Sequence, residues 1–171
     1  MKLFISVLAG IIIYTEANAG VQELYTAETH PQEYCLALNI YHEARGSSLA
    51  DQAAVADVVL NRVRDRRYPG TVCDVVYQAR TRPSWKDETV MIPIRNQCQF
   101  SWYCDGRDDT PKDQDAWINA QQIAYFMILD NKYRGITQGA THYHATYVEP
   151  KWARGFNLIG RIGEHIFYRW D

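Results

Sequence analysis

Residues 33–64 read EYCLALNIYHEARGSSLADQAAVADVVLNRVR, and this stretch decides the fold. Glu33 to Ala44 has Leu36, Ile40 and Tyr41 at helical spacing, so it predicts a helix that buries an apolar face. Gly46 follows where a helix ends most easily, because glycine accepts the left-handed backbone of a C-terminal cap. Ser48, with Asp51 three residues on, resembles a capping box that opens a second helix running to about Arg64. Ala54, Val55, Val58, Val59 and Val63 form its buried face, and the run from Arg62 to Arg67 reads as its solvated end. The sequence therefore opens with a helical hairpin joined by a tight turn.

Working outward, Tyr68-Pro69-Gly70 is a turn, and Thr71 caps a short helix to about Ala79, with Asp74 in its first turn. Arg80 to Asn96 is polar, contains Pro83 and Pro93 and has no clear period. It reads as a long loop, a candidate lid or subsite wall. A turn at Asp108 to Pro111 precedes the strongest helix signal, Asp113 to about Asn131, with Trp117, Ala120, Ile123, Ala124, Met127 and Ile128 facing inward. Gly135 and Gly139 bracket a turn, and Thr141 to Val148 reads as a strand. Gly160 to Trp170 alternates as a strand does. Helices first and strands last make an α+β domain, several helices packed with a small antiparallel sheet.

Upstream, Lys2, the apolar run Leu3 to Tyr14 and Ala17-Asn18-Ala19 have the order of a secretory signal peptide, residues 1–19. Its apolar run is about 12 residues, short of the roughly 20 a spanning helix needs, although an uncleaved anchor is the competing reading. Residues 20–32 then form a polar arm, and residues 33–171 the catalytic domain. This organisation implies export to the periplasm, cell envelope or exterior, with no membrane association once the signal is cleaved. The net charge of -2, with both signs mixed along the chain, supplies no basic field for nucleic acid. The four cysteines, Cys35, Cys73, Cys98 and Cys104, suit disulfides in an exported chain. Three pairings are open, with Cys98–Cys104 a plausible short loop, and the spacings lack the C-x-x-C knuckle of a zinc site.

Three clusters could carry chemistry. Glu43 ends a mostly apolar helix, where partial desolvation raises a carboxyl's pKa and keeps it protonated; the bland alternative is a salt bridge to Arg45 or Arg62. Gln99-Phe100-Ser101-Trp102 combines hydrogen-bonding groups with flat rings suited to a sugar subsite. His142 and His144 would share one face of a strand, as polar residues at a cleft edge or as two metal ligands with Glu149 or His165 as a third.

These clusters, in this order, resemble the spore-cortex-lytic type of cell-wall hydrolases, named for SleB and CwlJ. The resemblance rests on Tyr41-His42-Glu43-Ala44-Arg45-Gly46, on Gln52 to Ala56 with Val58 to Val63, on Tyr68 to Gln78, on Gln99 to Trp102, on Gly139 to Tyr143, and on Pro150 to Ala153. It implies an α+β domain with a lysozyme-like active-site arrangement, acting on peptidoglycan between N-acetylmuramic acid and N-acetylglucosamine as a lytic transglycosylase or muramidase. It places the general acid on Glu43 and the glycan cleft on Gln99, Ser101, Trp102, His142 and Tyr143. It calls for no cofactor and no metal, and a monomer is expected. Two departures stand out: Ser47 follows the E-A-R-G motif where relatives often carry an acidic residue, and the segment 80–96 is longer than the usual connection. Hydrolysis would need a second carboxylate, for which Asp57, Asp74, Asp105 and Glu149 are candidates. Transglycosylation needs only Glu43 and is favoured. The competing classes are a zinc-dependent wall amidase or peptidase built on His142, His144 and Glu149, and a wall-binding module without catalysis.

Overall fold

The computed structural model describes residues 26–171; the expected signal peptide and most of the arm lie outside the described residues. Helix α1 spans Pro31–Ala44 and begins two residues earlier than expected, because Pro31 brings a φ already suited to a first helical turn. Cys35 through Tyr41 are all buried, so α1 runs through the middle of the domain rather than along its surface. Gly46 closes it at φ 82°. Helix α2 spans Leu49–Arg64, and the Ser48 hydroxyl oxygen accepts the Asp51 N–H at 3.3 Å, as the capping pattern predicts. Its last turn differs from expectation. Arg62 is only 2 % exposed, because its Nε donates to the Thr141 carbonyl at 2.7 Å and its guanidinium lies over the rings of Tyr68 and Phe100.

Thr71 caps helix α3, Val72–Val76, which stops short of Ala79. The segment expected to be a loop is a hairpin: β1, Ala79–Pro83, pairs antiparallel with β2, Met91–Cys98. Most of both strands is exposed, so no apolar alternation marked them, and in a two-stranded ribbon every strand is an edge that tolerates Pro83 and Pro93. A 3-10 turn at Ser101–Cys104 leads to helix α4, Gln114–Ile128, capped by the Asp113 carboxylate on the Ala116 N–H and packed against α1.

The C-terminal sheet has three antiparallel strands, β3 His142–Ala145, β4 Asn157–Ile162 and β5 His165–Arg169, in the order β3-β5-β4. The alternating stretch 160–170 is thus two strands and a turn, not one strand. The turn needs Gly163: its φ is 57°, and a Cβ there would stand 2.6 Å from the Asp51 carboxylate. Register pairs Tyr143 with Phe167 and Ala145 with His165, so Tyr143, His165 and Phe167 face the helices while His142, His144 and Tyr168 face outward. Phe167 packs with Ala54 and Val58 of α2 and with Ala140, joining sheet to helices. Disulfides join Cys35 to Cys73 and Cys98 to Cys104, tying α1 to α3 and closing the base of the hairpin. Among the described residues no helix is long and apolar enough to cross a membrane.

Candidate active site

Glu43 stands on the last turn of α1 where the helix meets the sheet, and Tyr143 reaches it from β3. The Tyr143 hydroxyl donates to Glu43 Oε2 at 3.0 Å. Burial raises the Glu43 carboxyl above the ordinary carboxylate range, against the Tyr143 hydrogen bond and the charges of His165 and Arg62, which pull it down. Burial and the neighbouring Glu43 charge push the Tyr143 hydroxyl well above its ordinary value, so it stays a donor. Glu43 makes no salt bridge among the described residues: Arg62 is held by Thr141 and by two aromatic rings.

An open cleft of 830 Å³ runs from Glu43 along Tyr41, His42, Ser101 and Trp102 to the segment 105–113. Its floor is a stacked pair, His42 on Trp102, with ring centroids 4.6 Å apart and planes 18° apart. Trp102 Nε1 donates to Asn39 Oδ1 at 3.2 Å, and His42 Nε2 lies 3.0 Å from the Asp109 carbonyl, which only an N–H can satisfy. The Tyr41 hydroxyl oxygen accepts the N–H groups of Lys112 and Asp113 at 3.0 Å, fixing the far wall to α1. The walls therefore offer one flat aromatic face and many polar groups, a combination suited to a carbohydrate.

The structure brings Glu43, Ser101, Trp102 and Tyr143 together and sets the other expected residues apart. Gln99 stands beside Arg62; with its amide oxygen toward the guanidinium it accepts from Nη1 and Nη2 at 3.3 Å. His142 is on the outer face of β3, packed against Phe156, Trp152 and Trp170. Burial, with the Arg62 and Arg67 charges, lowers its pKa to about 4, so it is neutral at pH 7. His144 shares that face, as expected, and its Nε2 meets the Tyr168 hydroxyl at 3.0 Å. The third ligands considered for a metal do not join them: His165 faces the helices, and Glu149 is highly exposed beside Arg154. Among the described residues no group of three or more His, Cys, Asp or Glu side chains could hold a metal ion.

The candidate second carboxylates divide in the same way. Asp57 is buried and engaged by Arg134, Gly135 and Thr137; the Asp74 carboxylate accepts from the Thr71 hydroxyl that caps α3; Asp105 lines the cleft. Asp109, which the sequence reading placed in a turn, also lines the cleft. Burial raises its carboxyl, with Asp105 and Asp108 adding to the rise and His42 opposing it. The crowding of acids in Asp105-Gly106-Arg107-Asp108-Asp109 was the available signal for it. Arg62, Asp51 and His165 were read in other roles, as a salt-bridge partner of Glu43, a helix-cap residue and a third metal ligand, because their partners here lie far away in sequence.

Residues 46–168 match the model of the Cell Wall Hydrolase family, so the chain belongs to that family. The match begins three residues after Glu43, whose assignment therefore rests on geometry and on the motif. Curated relatives are the spore cortex-lytic enzymes of Bacillus cereus (strain ATCC 14579), 25% identical over 130 residues, and of Bacillus subtilis (strain 168), 25% identical over 134 residues. These alignments cover 75% and 77% of this chain but only 40% and 35% of the relatives. The fold is similar to the catalytic domain of the germination-specific lytic transglycosylase SleB from Bacillus anthracis, with a TM-score of 0.59 and 26% identity over 81% of this chain and 93% of that one. It is likewise similar to the catalytic domain of the Bacillus cereus SleB protein, with a TM-score of 0.55 and 26% identity over 81% and 91%.

Proposed function

We propose that this protein cleaves the glycan strands of peptidoglycan between N-acetylmuramic acid and N-acetylglucosamine as a lytic transglycosylase, with Glu43 as acid and then base. The observation that carries the reading is the Glu43 carboxyl itself: raised by burial, held by the Tyr143 hydroxyl at 3.0 Å, and placed at the end of a cleft with an aromatic floor. A carboxyl whose pKa is raised by burial holds its proton to higher pH than an ordinary glutamate, and can give it to the glycosidic oxygen as the bond to the muramic C1 breaks through an oxocarbenium-like state. The resulting carboxylate then takes the proton of the muramic C6 hydroxyl as that oxygen bonds C1 and closes a 1,6-anhydro ring. The Tyr143 hydroxyl steadies the carboxylate between the two proton transfers. Ser101 and Trp102 contact the glycan, while Gln99 and His142 shape the site from behind through Arg62 and strand β3. The Bacillus anthracis structural relative is described as a lytic transglycosylase, which supports this route. Two disulfides support action outside the cytoplasm.

A specific observation keeps hydrolysis as the second reading: Asp109 and Asp105 share the cleft with Glu43 and could activate water. Clearing of a peptidoglycan suspension tests the proposal at its root. Glu43→Gln is expected to abolish clearing while remaining folded by circular dichroism. Clearing by a folded Glu43→Gln protein would remove Glu43 from the mechanism, and loss of wild-type clearing with EDTA would favour the zinc enzyme.

A further inference from the structure

Behind Tyr143 lies a buried pair that the proton transfers do not use. Asp51 is 0% exposed. Its Oδ1 lies 2.8 Å from His165 Nδ1, and its Oδ2 accepts the Glu164 N–H at 2.9 Å. With an anion on that side, Nδ1 carries a proton, so the imidazole is fixed in one orientation. The His165 ring meets Tyr143 edge to face, with centroids 5.1 Å apart and planes at 84°. Gly163 lets the turn drop onto Asp51 closely enough to make these contacts. The chain of contacts therefore runs Asp51, His165, Tyr143, Glu43.

We propose that His165, held by Asp51, is the positioning residue of this site: it fixes the Tyr143 ring and keeps the hydroxyl on Glu43 Oε2. The inference rests on Glu43 being the acid. The charged and titratable groups around His165 are Asp51 and Arg62 of α2, Glu43 of α1, Tyr143 of β3, and Glu164 in its own turn, whose carboxylate points toward Arg161. Of these, Asp51 contacts it directly, and the charges of His165 and Arg62 both act on Glu43.

The test is carbon-13 NMR of glutamate-labelled full chain, with the Glu43 carboxyl signal assigned by its absence in Glu43→Gln. In the wild type that signal should show its own titration, with a midpoint above the ordinary carboxylate range. His165→Asn keeps an N–H for Asp51 but removes the ring from Tyr143. With the Tyr143 hydroxyl no longer held on the carboxylate, it should move the Glu43 midpoint up by about one pH unit and lower kcat about tenfold with KM nearly unchanged. Asp51→Leu, which leaves Nδ1 without an acceptor and so frees the ring, should move the Glu43 midpoint the same way and serves if His165→Asn does not fold. An unmoved midpoint in either folded variant would overturn the proposal and leave the pair as packing alone. Failure of the acid assignment would show separately, as activity surviving in Glu43→Gln, because the carboxyl titration reads the coupling whatever the role of Glu43.

Discussion

At the residue scale, the Glu43 carboxyl is held in two opposed ways, and both have measurable signs. Burial raises its pKa, so the carboxyl costs the folded state stability once pH rises above its unfolded value of about 4.3. Glu43→Gln removes that penalty while keeping an acceptor for Tyr143, and should raise Tm by about 2–4 °C while abolishing activity. A lowered Tm measured by calorimetry would mean that the charge stabilises the fold. Because the acid acts protonated, kcat should fall as pH rises through a Glu43 value above the ordinary carboxylate, about 4.3. Asp51 has the opposite sign. Burial raises it, but the His165 bond and the Glu164 N–H outweigh burial and leave it below the ordinary range. The stability it contributes is present above about pH 3.9 and lost as pH falls through its lower folded value, which acid unfolding of Asp51→Asn against wild type would show as a shallower decline.

At the scale of elements, the helical hairpin was legible because its signals are local. Ser48 and Asp51 made the cap, Gly46 made the stop, and the spacing of Leu36, Ile40 and Tyr41 marked the buried face of α1. The two strand regions misread were those in which local signal and tertiary role part company. The β1–β2 ribbon exposes most of its residues and carries no period, and Ile162 and Ile166 continue an even spacing straight through the Gly163 turn. Of the expected cleft, Glu43, Ser101 and Trp102 were readable from the motifs, and the sheet separates Tyr143 from His142 because adjacent strand residues face opposite ways. The Gly163 turn gives the sharpest test at this scale. Gly163→Ala must place a Cβ against Asp51 at a positive φ, and should lower stability by about 2 kcal/mol or more in urea unfolding. A change under about 0.5 kcal/mol would show that the turn can move.

At the scale of the molecule, a helical body and a small sheet meet where Tyr143 reaches Glu43, and the cleft lies on the helical side, lined by the end of α1 and by residues between Ser101 and Asp113. Cys35–Cys73 joins α1 to α3 across 38 residues, whereas Cys98–Cys104 closes a loop of 6. On chain-entropy grounds the first contributes about 3–4 kcal/mol and the second about 2 kcal/mol. Replacing Cys35 and Cys73 together by alanine should therefore lower the urea midpoint more than replacing Cys98 and Cys104, and the reverse order would place the weaker link in the helical body. The central claim has its physical basis in Glu43, which a sheet tyrosine holds on one side and which lines the cleft on the other. The most direct test is mass spectrometry of the soluble products released from peptidoglycan sacculi by the wild type and by Glu43→Gln. Muropeptides ending in 1,6-anhydro-muramic acid from the wild type, and none from Glu43→Gln, are the predicted result. Reducing muramic ends, or intact glycan with freed peptides, would contradict it.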